Sequence, residues 1–215
     1  MAVLSASDLS AGDTVLATQY NNLRNDVRRA GGGPLVDNVG GSAYHLPGWR
    51  GVVHSGTLTL AQHELYYIPI YCANALTVIR IGINVTTAQA ATSARLGIYN
   101  ATLDAEDHLT PDTLVLDAGT VSLASTGVKE ITISQALTEG EFYFLAISAD
   151  SSTAVVTATG STPAPPVSLQ GTNINGAPAG FAPTVTVADG AAALPSPATA
   201  PDAIVGGAPK VMIRE

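Results

Sequence analysis

Between Leu76 and Asp150 apolar and polar residues alternate along the chain. In Thr77-Val-Ile-Arg-Ile-Gly-Ile-Asn-Val-Thr86, the residues Ile79, Ile81, Ile83 and Val85 fall on one side, and Arg80, Gly82, Asn84 and Thr86 on the other. A strand sends successive side chains to opposite faces, so a period of two predicts one buried and one wetter face. Ala94-Arg-Leu-Gly-Ile-Tyr-Asn100 repeats the pattern, with Leu96 and Ile98 inward and Arg95 and Tyr99 outward. The same reading predicts strands over Val52–Leu60, Glu64–Cys72, Leu76–Thr87, Ala94–Thr102, Thr113–Asp117, Thr120–Leu123, Val128–Ser134, Glu141–Ala149 and Thr153–Thr159. Pro69 inside the second of these implies an edge position or a bulge, because proline has no N–H for a ladder. Short strands with turns every 8–12 residues or so predict an all-β fold, an antiparallel β-sandwich. Two four-stranded sheets of the jelly-roll kind fit this best.

The flanks read differently. Residues 1–33 form an arm and a short N-terminal helix, with Thr18 as N-cap, a run from about Gln19 to Ala30, and Gly31 as the stop. Tyr20, Leu23, Val27 and Ala30 make one narrow apolar stripe, suited to packing on a partner surface or on a symmetry mate. Three turns of helix are marginal alone in water, so this one must dock on something: its own β domain or, as the Gly31-Gly-Gly-Pro34 hinge that detaches it favours, another chain. Residues 34–50 are a linker with turn chemistry at Asp37-Asn38, Gly40-Gly41 and Pro47-Gly48; it ends near Trp49, expected to cover a sandwich edge or a seam between subunits. The sandwich spans 51–160. Residues 161–215 form an extended Pro/Ala/Gly-rich C-terminal segment, too poor in large apolar residues for a core of its own, to which Thr184–Val187 and Pro209–Ile213 add one or two strands.

Composition narrows the function. The chain has 215 residues, 9 Lys and Arg against 17 Asp and Glu, and a formal charge of -8. Between residues 51 and 160 the positives are Arg80, Arg95 and Lys129, opposed by ten acids. Phosphate recognition needs clustered cations, so nucleic acid is not an expected partner. No apolar run approaches the ~18 residues that span a bilayer, and no basic stretch leads into an apolar core near the N-terminus, so neither membrane insertion nor a secretory signal is expected. Cys72 is the single cysteine, which excludes an intrachain disulfide; its strand-end context predicts a buried, small apolar role.

No catalytic constellation emerges. The chain lacks a Gly-x-Ser-x-Gly elbow, a P-loop and a His-Glu-x-x-His motif. His45, His54 and His63 are nine residues apart, but they fall in a linker, a strand and a turn, so no metal site is expected from them. Asp104, Glu106, Asp107 and His108 form an acidic turn without the spaced oxygen ligands of a calcium loop. The remaining acids share no face on which a glycosidase pair would sit. Asn84-Val-Thr86 and Asn100-Ala-Thr102 match the glycosylation pattern but read as strand residues. The chain is therefore expected to be non-enzymatic, without cofactor or metal.

Two stretches resemble tailed-bacteriophage virion proteins. Residues 12–29, Gly-Asp-Thr-Val-Leu-Ala-Thr-Gln-Tyr-Asn-Asn-Leu-Arg-Asn-Asp-Val-Arg-Arg, are similar to the virion-anchoring segment that opens many tail and fibre-type chains. The succession Arg95-Leu-Gly-Ile-Tyr99, Pro111-Asp-Thr-Leu-Val-Leu-Asp-Ala-Gly119, Gly127-Val-Lys-Glu-Ile131 and Leu137–Leu145 resembles the jelly-roll domains of phage fibres and other virion proteins. The likeness covers roughly half of the chain and leaves the segment after residue 160 unmatched. It implies a structural component of tail, fibre or capsid-decoration type, located in the virion and assembled in the host cytoplasm. It further implies contacts with other virion proteins, and a homotrimer with Tyr20, Leu23, Val27, Ala30 and Trp49 near the shared axis. An alternative is a receptor- or glycan-binding module for host attachment, contacting host surface glycan through Tyr66, Tyr99 or Trp49. An enzyme such as a polysaccharide depolymerase is the second alternative.

Overall fold

A computed structural model describes residues 44–45, 56–72, 74–104, 109–159, 182–205 and 207–215. The described part contains thirteen strands and no helix. In chain order they are β1 (Tyr44–His45), β2 (Gly56–Thr59), β3 (Glu64–Tyr71), β4 (Leu76–Thr87), β5 (Ser93–Leu103), β6 (Leu109–Ser122) and β7 (Gly127–Leu137). There follow β8 (Phe142–Ala149), β9 (Val155–Thr159), β10 (Ala182–Thr186), β11 (Ala203–Val205), β12 (Ala208–Pro209) and β13 (Met212–Arg214). The N-terminal helix, with Tyr20, Leu23, Val27 and Ala30, and the linker residue Trp49 lie outside the described residues.

Two antiparallel sheets face each other as a β-sandwich. The first has seven strands, with β1, β13, β4, β9 and β12 in order, β7 added beside β4 and β2 beside β9. The second has six, in the order β11-β10-β3-β8-β5-β6. Four antiparallel pairs are nested one inside the next: β5 with β6, β4 with β7, β3 with β8 and β2 with β9. The chain from β2 to β9 is thus one long hairpin, turning back between Leu103 and Leu109, whose paired halves divide four strands to each sheet. Between the sheets lies a core that includes Ile68, Ile70, Ile81, Ile83, Leu96, Ile98, Leu145 and Ile147. Their period-two spacing places them all on inner faces.

Two local expectations change. Ile79 does not join the core; it is 39% exposed while its neighbour Val78 is fully buried. The cause is a register shift between Val78 and Arg80 in the pairing with β7. An extra residue in one strand reverses the facing of everything before it. Thr113–Asp117 and Thr120–Leu123 are not separate strands but parts of β6. Asp117-Ala-Gly119, which has turn composition, is a bulge: Leu96 pairs with Gly119 and Gly97 with Asp117, leaving Ala118 as the extra residue. Gly119 has φ +96° there, a conformation that L side chains rarely adopt, and its N–H donates to Asp117 Oδ1 at 3.1 Å. Pro69 pairs with Phe144 on one side, and on the other the described pairing with β10 covers Glu64–Tyr66.

The largest correction concerns the second sheet's outer face. Arg95 and Tyr99 do point away from the inter-sheet core, but that face is not wet. Leu65, Tyr67, Tyr99, Phe144, Ala146, Val185 and Leu194 form a second buried cluster there. Within the C-terminal segment, residues 187–199 therefore act as a fitted strap and not as a loose extension. The described part of this segment adds four short strands, β10 to β13, where one or two were expected at 184–187 and 209–213.

Candidate functional site

The strapped face of the second sheet holds a connected set of polar side chains. Arg95, on β5, and Asp117, on β6, sit one step apart across the β5–β6 ladder. Arg95 Nε donates to Asp117 Oδ1 at 2.8 Å and to Oδ2 at 2.9 Å, and the pair is largely shielded from solvent. Each partner then grips the strap. Arg95 Nη1 donates to the Ala191 carbonyl at 3.0 Å, and the Leu194 N–H donates to Asp117 Oδ2 at 3.2 Å. Farther along, Tyr99 donates its hydroxyl to the Pro195 carbonyl at 2.8 Å and Tyr67 donates to that of Thr199 at 3.3 Å. The Ala198 N–H donates to the Asp112 carbonyl at 2.7 Å. At the near end of the strap, the Gly190 N–H donates to His63 Nδ1 at 3.0 Å.

These contacts satisfy the backbone groups of a segment without secondary structure of its own, as burial requires. Beneath the strap, the rings of Tyr67 and Tyr99 meet edge to face at 5.3 Å, and Tyr67 and Phe144 at 6.2 Å. Burial pushes the phenols of Tyr67 and Tyr99 far above the ordinary tyrosine value of 10.0, because the anion would lose its hydration. Burial also pushes the Cys72 thiol up from 9.0 to about 11, so it stays protonated and unreactive near neutrality. Cys72 is fully buried and donates to the Asn74 carbonyl, which agrees with the apolar role read from its context. The chemistry that this arrangement supports is cohesion.

The two tyrosines proposed for glycan contact do not present their rings. Tyr66 is 4% exposed, inside the inter-sheet core, where its hydroxyl accepts from the Ala61 N–H at 3.3 Å. Tyr99 is 0% exposed, beneath the strap. The correction has two physical origins: β3 is apolar on both faces because both are covered, and a covering segment distant in sequence hides the outer face of β5. His63 is the one histidine whose side chain is described; it lies at φ +62° and its Nδ1 accepts from the Gly190 N–H, while the side chains of His45 and His54 lie outside the described residues. Among the described residues no group of three His, Cys, Asp or Glu is placed to hold a metal ion. Ser148, buried on the strapped face, has a hydroxyl with no hydrogen-bond partner.

Sequence reasoning missed the strap. The signal that was available is the pair Gly97 and Leu194: a glycine facing out from a strand, and one leucine in a tract of Ala, Pro and Gly. No protein-family model matches this chain, and a search of curated proteins returns no match.

Proposed function

We propose that this chain is a non-enzymatic structural component of a tailed-phage virion, of tail, fibre or capsid-decoration type. In this reading its N-terminal helix anchors it and its sandwich is displayed outward. The observation that carries the reading is the nested pairing of β2 to β9. Eight strands wound as one folded-over hairpin into two four-stranded halves are the arrangement of a jelly roll, an architecture used by viral capsid domains and by lectins. Fold alone does not define function. The reading draws equally on the anchor-like stretch at residues 12–29 and on the acidic charge of -8.

The place of β1 supports a tethered module. Tyr44 pairs with Arg214 and His45 with Ile213, so the linker joins the sandwich at the edge formed by the last strand. A homotrimer built through Tyr20, Leu23, Val27 and Ala30 belongs to this proposal, as do contacts with other virion proteins. The glycan-binding alternative loses Tyr66 and Tyr99 as contact residues, both being buried.

Mass spectrometry and immunogold labelling of purified particles test this. The chain is expected in the virion at a copy number divisible by three, and Leu23→Asp with Val27→Asp is expected to abolish incorporation while the sandwich remains folded. Absence of the chain from particles, or normal incorporation of the double variant, would overturn the reading.

A further inference from the structure

The leading end of the strap, residues 187–190, is gripped by one residue of the turn between β2 and β3. Val187 donates its N–H to the His63 carbonyl at 2.7 Å, and Gly190 donates its N–H to the His63 ring nitrogen Nδ1 at 3.0 Å. The backbone of His63 is itself held, since its own N–H donates to the Ala149 carbonyl at 2.9 Å. Its φ of +62° lies in the left-handed region, which histidine enters more readily than most residues. The later grips on the strap, at Ala191, Leu194, Pro195, Ala198 and Thr199, involve no histidine.

Gly190 has little room to turn away. It is buried, and a Cβ built on it would overlap the Ala149 carbonyl group. Its backbone therefore lies flat on the end of β8, with its N–H aimed at the imidazole. Beside Ala149, Ser148 is 2% exposed and its hydroxyl has no hydrogen-bond partner; in the ladder it stands between Leu65 and Arg95. A buried hydroxyl without a partner opposes closure here, and water would relieve it on opening.

An imidazole nitrogen accepts a hydrogen bond only through its lone pair. Because Nδ1 accepts from Gly190, the proton of the neutral ring sits on Nε2, and a second proton goes to Nδ1 itself. The ring then has a donor at both nitrogens and no acceptor. Two N–H groups are set against each other, and that of Gly190 is left buried and unpaired. Histidine side chains change charge between about pH 5 and 8, so a mild fall in pH is the signal. The other titratable and charged groups around the ring are Glu64, next on β3, Asp150 at the end of β8, Asp189 within the strap, and Arg95, bound to Asp117. Asp150 accepts from the Ser93 N–H at 2.7 Å and Asp189 from the Ala191 N–H at 2.9 Å, so both carboxylates are engaged with other N–H groups.

We infer that His63 is a proton-operated clasp: its neutral ring holds the leading end of the strap on the second sheet, and its protonated ring releases residues 187–190. The far part of the strap stays in place, gripped by Arg95, Asp117, Tyr99 and Tyr67. Release uncovers Ser148 and the end of β8.

Amide hydrogen exchange of the full-length chain, expressed as protection factors at about pH 8 and about pH 5, tests this. Protection of Val187 and Gly190 is expected to fall about fivefold or more on acidification, as for the loss of one hydrogen bond, while that of Leu194 and Ala198 changes by less than about twofold. His63→Asn puts an amide oxygen near the place of Nδ1, suits a left-handed backbone and takes up no proton. It is expected to protect Gly190 equally at both pH values. In the wild type, the Gly190 amide resonance is expected to shift with the same pH midpoint as the His63 ring resonances. That comparison decides if circular dichroism shows the His63→Asn variant to be unfolded. Unchanged protection of Gly190 in the wild type, an acid loss that persists in His63→Asn, an equal loss at Leu194 and Ala198, or different midpoints for ring and amide overturns the inference.

Discussion

Leu194 occupies the space that a side chain on Gly97 would need. A methyl group built on Gly97 overlaps Cδ1 of Leu194 and comes within 2.7 Å of the Leu116 carbonyl oxygen. The absence of a Cβ in β5 is therefore what lets the C-terminal strap lie flat on the second sheet. The two residues are 97 positions apart, and their fit ties the end of the chain to its middle.

Gly97→Ala is expected to push Leu194 out of its notch and destabilise the fold by about 1–3 kcal/mol through overpacking. Leu194→Ala, which empties the notch, is expected to cost about 2–5 kcal/mol. Urea unfolding measures both. Limited proteolysis is expected to cut both variants first between residues 187 and 199, and wild-type resistance in either variant would contradict the fit.

Asp117 joins three partners: Arg95, the Gly119 N–H of its own bulge and the Leu194 N–H of the strap. Asp117→Ala leaves these donors without their acceptor, and a loss of about 1–3 kcal/mol is expected. Arg95→Met keeps much of the packing and removes the charge, and a smaller loss is expected. Because the two residues share one network, the double variant is expected to fall short of the sum of the singles, as a double-mutant cycle would measure.

The bulge at Ile79 makes an unequal pair of neighbours. Val78→Ala removes buried methyl groups and is expected to cost about 1–2 kcal/mol. Ile79→Ala, at a half-open position, is expected to stay within about 0.5 kcal/mol of wild type. The reverse ranking in chemical denaturation would mean that β4 follows the unbroken alternation.

Alkaline pH is expected to unfold this protein. The folded values of Cys72, Tyr66, Tyr67 and Tyr99 are all raised, so the folded chain holds these protons after the unfolded chain has released them. Their contribution is complete below the unfolded values. For Cys72 it declines as pH rises from 9.0 to about 11, and for the tyrosines from 10.0 upward. Each such group lowers stability by about 1.4 kcal/mol per pH unit within its window. Denaturation midpoints measured from pH 7 to 11 are expected to be flat at first and then to fall, with the tyrosinate absorbance rising together with unfolding.

The strands were legible because each has one face against the other sheet, and a period of two survives from Ile81 to Val85, from Ala94 to Ile98 and from Tyr143 to Ala149. Turn composition was less dependable. Asp117-Ala-Gly119 has the residues of a turn and lies inside a continuous edge strand, since a bulge draws on the same left-handed glycine as a turn does. Tyr66 and Tyr99 could not be placed from alternation, because a period says which residues share a face and is silent on what covers it.

The amino-acid order by itself determined the sandwich class, the inward set from Ile81 to Val85 and the acidic balance of the chain. These follow from local alternation and counting. Only the tertiary structure decided that Ile79 turns outward and that residues 187–199 seal the second sheet. Those outcomes depend on register and on contacts between residues up to a hundred or more positions apart, such as Tyr67 with Thr199, and such long-range fits leave almost no periodic trace in a sequence.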